Sequence, residues 1–146
     1  MSYYIGIVGN TYSQLPEKTI KKKLSFLIEK AIKKKDKYED EDFDDKIYIV
    51  SGLVCLGIPK IIMEIANTEN YSVIGIGPRE SKEFFEETSS NHRFKQVLFF
   101  GQKYGDENDY FIKNVDILVC LDGSEHDNKK VSLAKKKNLP TIVYCK

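Results

Sequence analysis

Short, continuously apolar runs alternate along this chain with longer stretches whose apolar residues recur at helical spacing, and this alternation constrains the fold more than any other feature. The runs are YYIGIV (Tyr3 to Val8), IYIVSG (Ile47 to Gly52), SVIGIGP (Ser72 to Pro78), QVLFFG (Gln96 to Gly101), VDILVCLDG (Val115 to Gly123) and LPTIVYC (Leu139 to Cys145). Between them, Glu17 to Lys35 places Ile20, Leu24, Leu27, Ile28, Ala31 and Ile32 on one helical face with lysines opposite. Pro16 stands at the start of that helix, with Ser13 as a capping candidate. In LVCLGIPKIIMEIA, Pro59 suits a first helical turn, and the residues after it are apolar on more than one side, which predicts a well-buried helix. Glu80 to Glu87 reads as a short helix or a polar excursion, Asp106 to Asn114 as a helix and Asn128 to Lys137 as another.

Strands that are apolar without alternation are buried on both faces, and strands separated by helices pair in parallel. The expectation is an α/β fold: a three-layer Rossmann-like domain with a mainly parallel sheet of about six strands. At 146 residues the chain is read as a single domain spanning 1–146.

Several function classes are disfavoured at once. A formal net charge of +1 gives no electrostatic footprint for duplex nucleic acid or an anionic membrane. No apolar run approaches the roughly 20 residues of a membrane span, and MSYYIGIVGN is no secretory signal, so a cytoplasmic location is expected. Cys55, Cys120 and Cys145 form no CxxC or Cys/His cluster, so no metal site is expected; Cys55, in a Gly-flanked loop, is the thiol to test for reactivity. The acidic stretch 36–45 lacks the spacing of a calcium loop and reads as a solvated loop. No cofactor is implied.

In open parallel sheets, ligands bind beyond the carboxyl ends of the strands. The turn residues gather there: Gly9, Asn10 and Thr11 after the first strand, Ser51, Gly52 and then Gly57 after the second, Gly77 after the third, Gly123 and Ser124 after the fifth. Glycines let a ligand approach the backbone, and helix N-termini offer free N–H groups to phosphate. Each exit alone is explained by the turn it makes; several on one edge favour a mononucleotide-sized anion site. There is no GxGxxG or Walker A sequence. Asp122 at a strand exit suits a ribose contact or a general base, against a turn or cap role; His126 near the same edge is a candidate acid–base group, whereas His92 and Asp116 read as surface and turn residues.

Taken together, SGLVCLGIPKIIMEIA, VIGIGP, DENDYFIKNVDILVCLDGS and GNTYSQLPEK resemble, in order, successive segments of the SLOG superfamily, which includes the LOG-type phosphoribohydrolases and DNA-processing protein A. The resemblance implies a Rossmannoid nucleotide pocket. Active LOG enzymes carry a PGGxGTxxE turn whose glycines and Thr hold phosphate and whose Glu serves catalysis. Here the matching run from Asp122 to Lys130 keeps only Gly123, and the Glu position falls on Lys130. An ammonium in place of the carboxylate argues against LOG-type hydrolysis. The segment from Val115 to Tyr144 also resembles the C-terminal half of nucleoside 2-deoxyribosyltransferases, with Asp122 and Asp127 matching two acids but no helix Glu nucleophile.

The expectation is therefore a binding domain for a nucleotide or nucleotide-derived signal, with a homodimer pairing through one sheet edge and the apolar helix 59–66. Two alternatives stay open: an N-glycosidic-bond hydrolase or transferase using Asp122 or His126, and a viral or phage protein that sequesters a signalling nucleotide.

Overall fold

The computed structural model describes residues 2–36 and 46–144; the acidic segment 37–45 and Cys145 lie outside the described residues. The elements are β1 (Ser2–Gly9), α1 (Glu17–Asp36), β2 (Lys46–Ser51), α2 (Gly57–Thr68), β3 (Ser72–Gly77), a 3-10 turn (Arg79–Ser81) running into α3 (Lys82–Thr88), β4 (Gln96–Phe99), α4 (Asn108–Lys113), β5 (Ile117–Leu121), α5 (Glu125–Lys136) and β6 (Thr141–Tyr144). All six strands form one sheet in the order β4-β3-β2-β1-β5-β6, every pairing parallel. The α/β, Rossmann-like expectation holds.

The pleat explains how one apolar run serves two cores. Successive side chains point to opposite faces. Ile5, Ile7, Ile49, Ile117 and Val119 join Leu24 and Ile28 of α1 and Ile58 and Ile62 of α2 in one core. Val8, Val50, Leu118 and Cys120 join Phe111 and Ile112 of α4 and Val131 and Ala134 of α5 in the other. Each fully buried side chain of this kind contributes about 1.5–3 kcal/mol. Burial of Ile58, Ile61, Ile62, Met63, Ile65 and Ala66 spends the apolar sides of α2 inside the chain's own core, so that helix does not offer the exposed apolar face its composition suggests.

Three local expectations shift. Ser13 does not cap α1: its hydroxyl donates to Asp122 and accepts from the Leu15 amide, and the Pro16 carbonyl takes the Ile20 amide instead. The helix read from Asn128 begins at Glu125, because Ser124 and Asp127 form a reciprocal capping box ahead of the first apolar residue. The helix read from Asp106 begins at Asn108, because the Asp106 carboxylate is bound to the amides of Gln102 and Lys103, which hold its pKa below the usual carboxylate value.

Cys55 is 3% exposed, and burial pushes its thiol up to about 11, opposed only by a hydrogen bond with Thr88. The thiolate is the nucleophile, so a raised pKa makes the group inert. The neutral thiol is fully accommodated below its ordinary value near 9, and that contribution to stability is lost only as pH climbs from there toward 11. In peptide-resolved iodoacetamide labelling at pH 8, Cys55 and Cys120 should stay unmodified in folded protein and react after unfolding; rapid native labelling of Cys55 would contradict the assignment.

Candidate functional site

Strand order sets where a ligand can sit. From β1 the chain steps outward through β2, β3 and β4, then returns to the other side of β1 as β5. The carboxyl ends of β1 and β5 therefore flank a topological switch point, where α/β sheets open a crevice. The loop after β1 is built across it. The Asn10 amide donates to the Asp122 carbonyl at 3.1 Å, the Asn10 carbonyl accepts the Ile58 amide at 3.1 Å, and Asn10 Oδ1 accepts the Tyr12 amide at 2.8 Å. Asn10 thus ties the ends of β5 and α2 to the first loop. Asp122, at φ +46°, gives its carboxylate to the Ser13 hydroxyl at 2.6 Å.

Beneath this loop lies a cavity of about 310 Å³. Its floor is apolar, from Ile7, Val8, Leu53, Ile76 and Phe111; Thr11, Gly52, Gly77, Ser124 and His126 line its walls. Tyr12, Phe84 and Tyr104 bring aromatic rings to it while remaining 73%, 48% and 41% exposed, so they form its rim. The Tyr104 ring lies 5.8 Å from that of His126. Burial, then the carboxylates of Glu80 and Glu107, raise the Tyr104 phenol, which keeps it protonated and able to donate.

Of the residues read from sequence, Gly9, Thr11, Gly52, Gly77, Ser124 and His126 line the cavity. Asn10, Ser51, Gly57, Asp122 and Gly123 do not, although they stand at the same sheet edge. Gly9 and Gly57 have packing reasons of their own: a Cβ on Gly9 would lie 2.3 Å from Ile58 Cγ2, and one on Gly57, at φ +58°, 2.3 Å from the Thr11 carbonyl oxygen. Gly52 is different, since its Cβ would meet nothing within 4 Å. Ser124 has both its amide and its hydroxyl bound to Asp127 Oδ2 at 2.8 Å, so neither is free for a ligand. Donors available to an anion include the amides of Leu53 and Val54 beside the cavity and those of Glu125 and His126 in the first turn of α5; none of these makes a protein hydrogen bond among the described residues.

Sequence reading missed Glu107. This carboxylate stands just before α4 and is only 2% exposed. Its Oε1 accepts the Gly105 amide at 2.8 Å and lies 3.7 Å from Lys130 Nζ. The Lys130 ammonium rests 5.4 Å from the centre of the Phe111 ring. Lys130, whose ammonium appeared to abolish a family carboxylate, therefore shares the cavity with a carboxylate from a different element. No local pattern in Gly105-Asp106-Glu107 announces it; the loop is carried inward because the Arg79 and Glu80 amides bind the Gly101 and Gln102 carbonyls and the Tyr104 amide binds Glu80 Oε1. Among the described residues, no group of three or more His, Cys, Asp or Glu is arranged to hold a metal ion, and no helix is long and apolar enough to cross a membrane.

No protein-family model matches the chain, and no curated protein matches it. Among solved structures, the chain is similar to the Moco carrier protein from Chlamydomonas reinhardtii, with a TM-score of 0.64 at 16% identity, over 98% of this chain and 76% of that one. At that identity the likeness shows a shared fold.

Proposed function

We propose that this protein binds a nucleotide or nucleotide-derived ligand in the switch-point cavity, without LOG-type hydrolysis. The observation that carries the reading is one cavity combining an apolar floor, an aromatic rim and unspent backbone amides. Its volume of about 310 Å³ falls at the small end of ligand pockets, which suits a mononucleotide-sized molecule. Apolar and aromatic side chains accept a ring system, while phosphate is held by amides rather than by a basic patch. The shared fold with a protein named as a carrier supports binding over turnover. Cytoplasmic residence belongs to the same proposal, and so does a homodimer, now through the β4 or β6 edge because α2 is spent in the core. Calorimetry against nucleoside mono- and diphosphates and NAD- and ADP-ribose-derived species is expected to show saturable binding, with intact ligand released on denaturation. A folded sample giving no heat with any of them would discard the reading.

A second reading, cleavage or transfer at an N-glycosidic bond, is favoured by one observation: a buried carboxylate, Glu107, lines the same cavity as His126. Release of free base from a nucleoside monophosphate, lost in Glu107→Gln, supports it; recovery of unchanged nucleotide excludes it.

A further inference from the structure

Three buried side-chain oxygen atoms lack a hydrogen-bond partner among the described residues: Ser51 Oγ, Glu107 Oε2 and Asn108 Oδ1. Only Glu107 belongs to a residue that lines the cavity. A buried carboxyl group with one oxygen unsatisfied is a costly arrangement, and Lys130 Nζ does not relieve it, since it faces the other oxygen, Oε1, at 3.7 Å, beyond hydrogen-bond distance. The pair nonetheless sets an acceptor beside a cationic donor, over the face of Phe111, at the apolar end of the cavity.

We infer that Glu107 and Lys130 read the hydrogen-bonding edge of the ligand's heterocycle, Glu107 accepting from a ring or exocyclic N–H and Lys130 donating to the neighbouring carbonyl or ring nitrogen. This rests on the binding role proposed above and adds the ligand's direction: ring inward, phosphate outward. The polarity of the lining requires that order. The inner floor, Ile7, Val8, Ile76 and Phe111, accepts an aromatic plane, and the Lys130 ammonium beside it is already faced by the Glu107 carboxylate, which opposes an incoming anion. The unspent amides lie in the loop after β2 and at the start of α5, at the strand ends. Glu107 Oε2 is buried, but the last torsion of a glutamate is broad, so rotation about it can turn that oxygen toward the ligand. A ribose hydroxyl is the competing donor, and the test separates the two.

The test is calorimetry of the full chain with two matched pairs: inosine monophosphate against its 1-methyl analogue, and adenosine monophosphate against its N6,N6-dimethyl analogue, with ribose 5-phosphate as a third probe. Each methylation removes the edge donor and leaves sugar and phosphate intact. The parent that binds should lose about 10- to 150-fold in affinity on methylation, the range for a hydrogen bond to a charged group. Glu107→Gln should weaken the parent, and the further loss from methylation should shrink in that variant, since both changes remove the same contact. Equal binding of parent and methylated analogue, or ribose 5-phosphate binding as tightly as the nucleotide, would overturn the ring-inward assignment while leaving nucleotide binding intact. Absence of binding by every nucleotide would remove both. The comparison on the unsubstituted protein stands even where the variant fails to fold.

Discussion

Replacing Phe111 by alanine is expected to lower the unfolding free energy by about 3–5 kcal/mol, the range for truncating a buried phenylalanine. Phe111 is fully buried and belongs to α4, a helix of six residues. A helix that short does not hold by itself, so packing must hold it. The ring is the means: a Cβ on Gly6 would lie only 3.0 Å from Phe111 Cε1 and 2.9 Å from Val115 Cγ1, which shows how closely α4 is seated on β1. The same ring closes the cavity floor and faces the Lys130 ammonium. In urea, the midpoint should fall with the slope unchanged. A loss under about 1 kcal/mol would mean that Phe111 does not anchor α4. Because the ring also supports the Glu107–Lys130 pair, ligand affinity should fall even at temperatures where the variant is fully folded.

Gly57→Ala is expected to cost about 2–5 kcal/mol, the sum of a left-handed backbone at an L-residue and an overpacked contact. Gly57 opens α2 at φ +58°, and an added Cβ would stand 2.3 Å from the Thr11 carbonyl oxygen, a backbone atom that cannot swing aside like a flexible side chain. The first loop would have to lift, and it is fastened on both sides, by the Ile58 amide to the Asn10 carbonyl and by the Asn10 amide to the Asp122 carbonyl. Lifting it displaces Thr11 and Tyr12 from the cavity. Gly52→Ala is the matched comparison, since a Cβ there meets nothing within 4 Å. Chemical denaturation of the two variants should separate them clearly, and equal stabilities would refute the close-approach argument.

Much of the site edge was legible in the sequence because glycine and serine exits from strands are written locally. Gly9, Thr11, Gly52, Gly77, Ser124 and His126 all reach the cavity lining. Asp122 was read for its chemistry, yet its carboxylate is held by Ser13, whose position depends on how the first loop crosses β5. Ser124 was read as part of the binding edge, and the Asp127 three residues on was the local sign that a capping box would use its hydroxyl. Tyr12, Phe84 and Tyr104 were visible as residues and invisible as a rim, because they come from three separate loops and helices.

The sequence alone determined about six strands, most of the helices between them and a mainly parallel sheet, since continuous apolar runs demand burial on both faces and helical spacing between runs demands crossovers; it left Glu80 to Glu87 open between helix and loop. Strand order was decided only by the tertiary structure, and with it the β1/β5 switch point, the cavity and the meeting of Glu107 with Lys130. The reason is range. Periodicity, caps and turns arise between residues a few positions apart and leave a local signature. A carboxylate before α4 and an ammonium in α5 acquire meaning from the distance between them, and that distance is set by how two core faces pack at once.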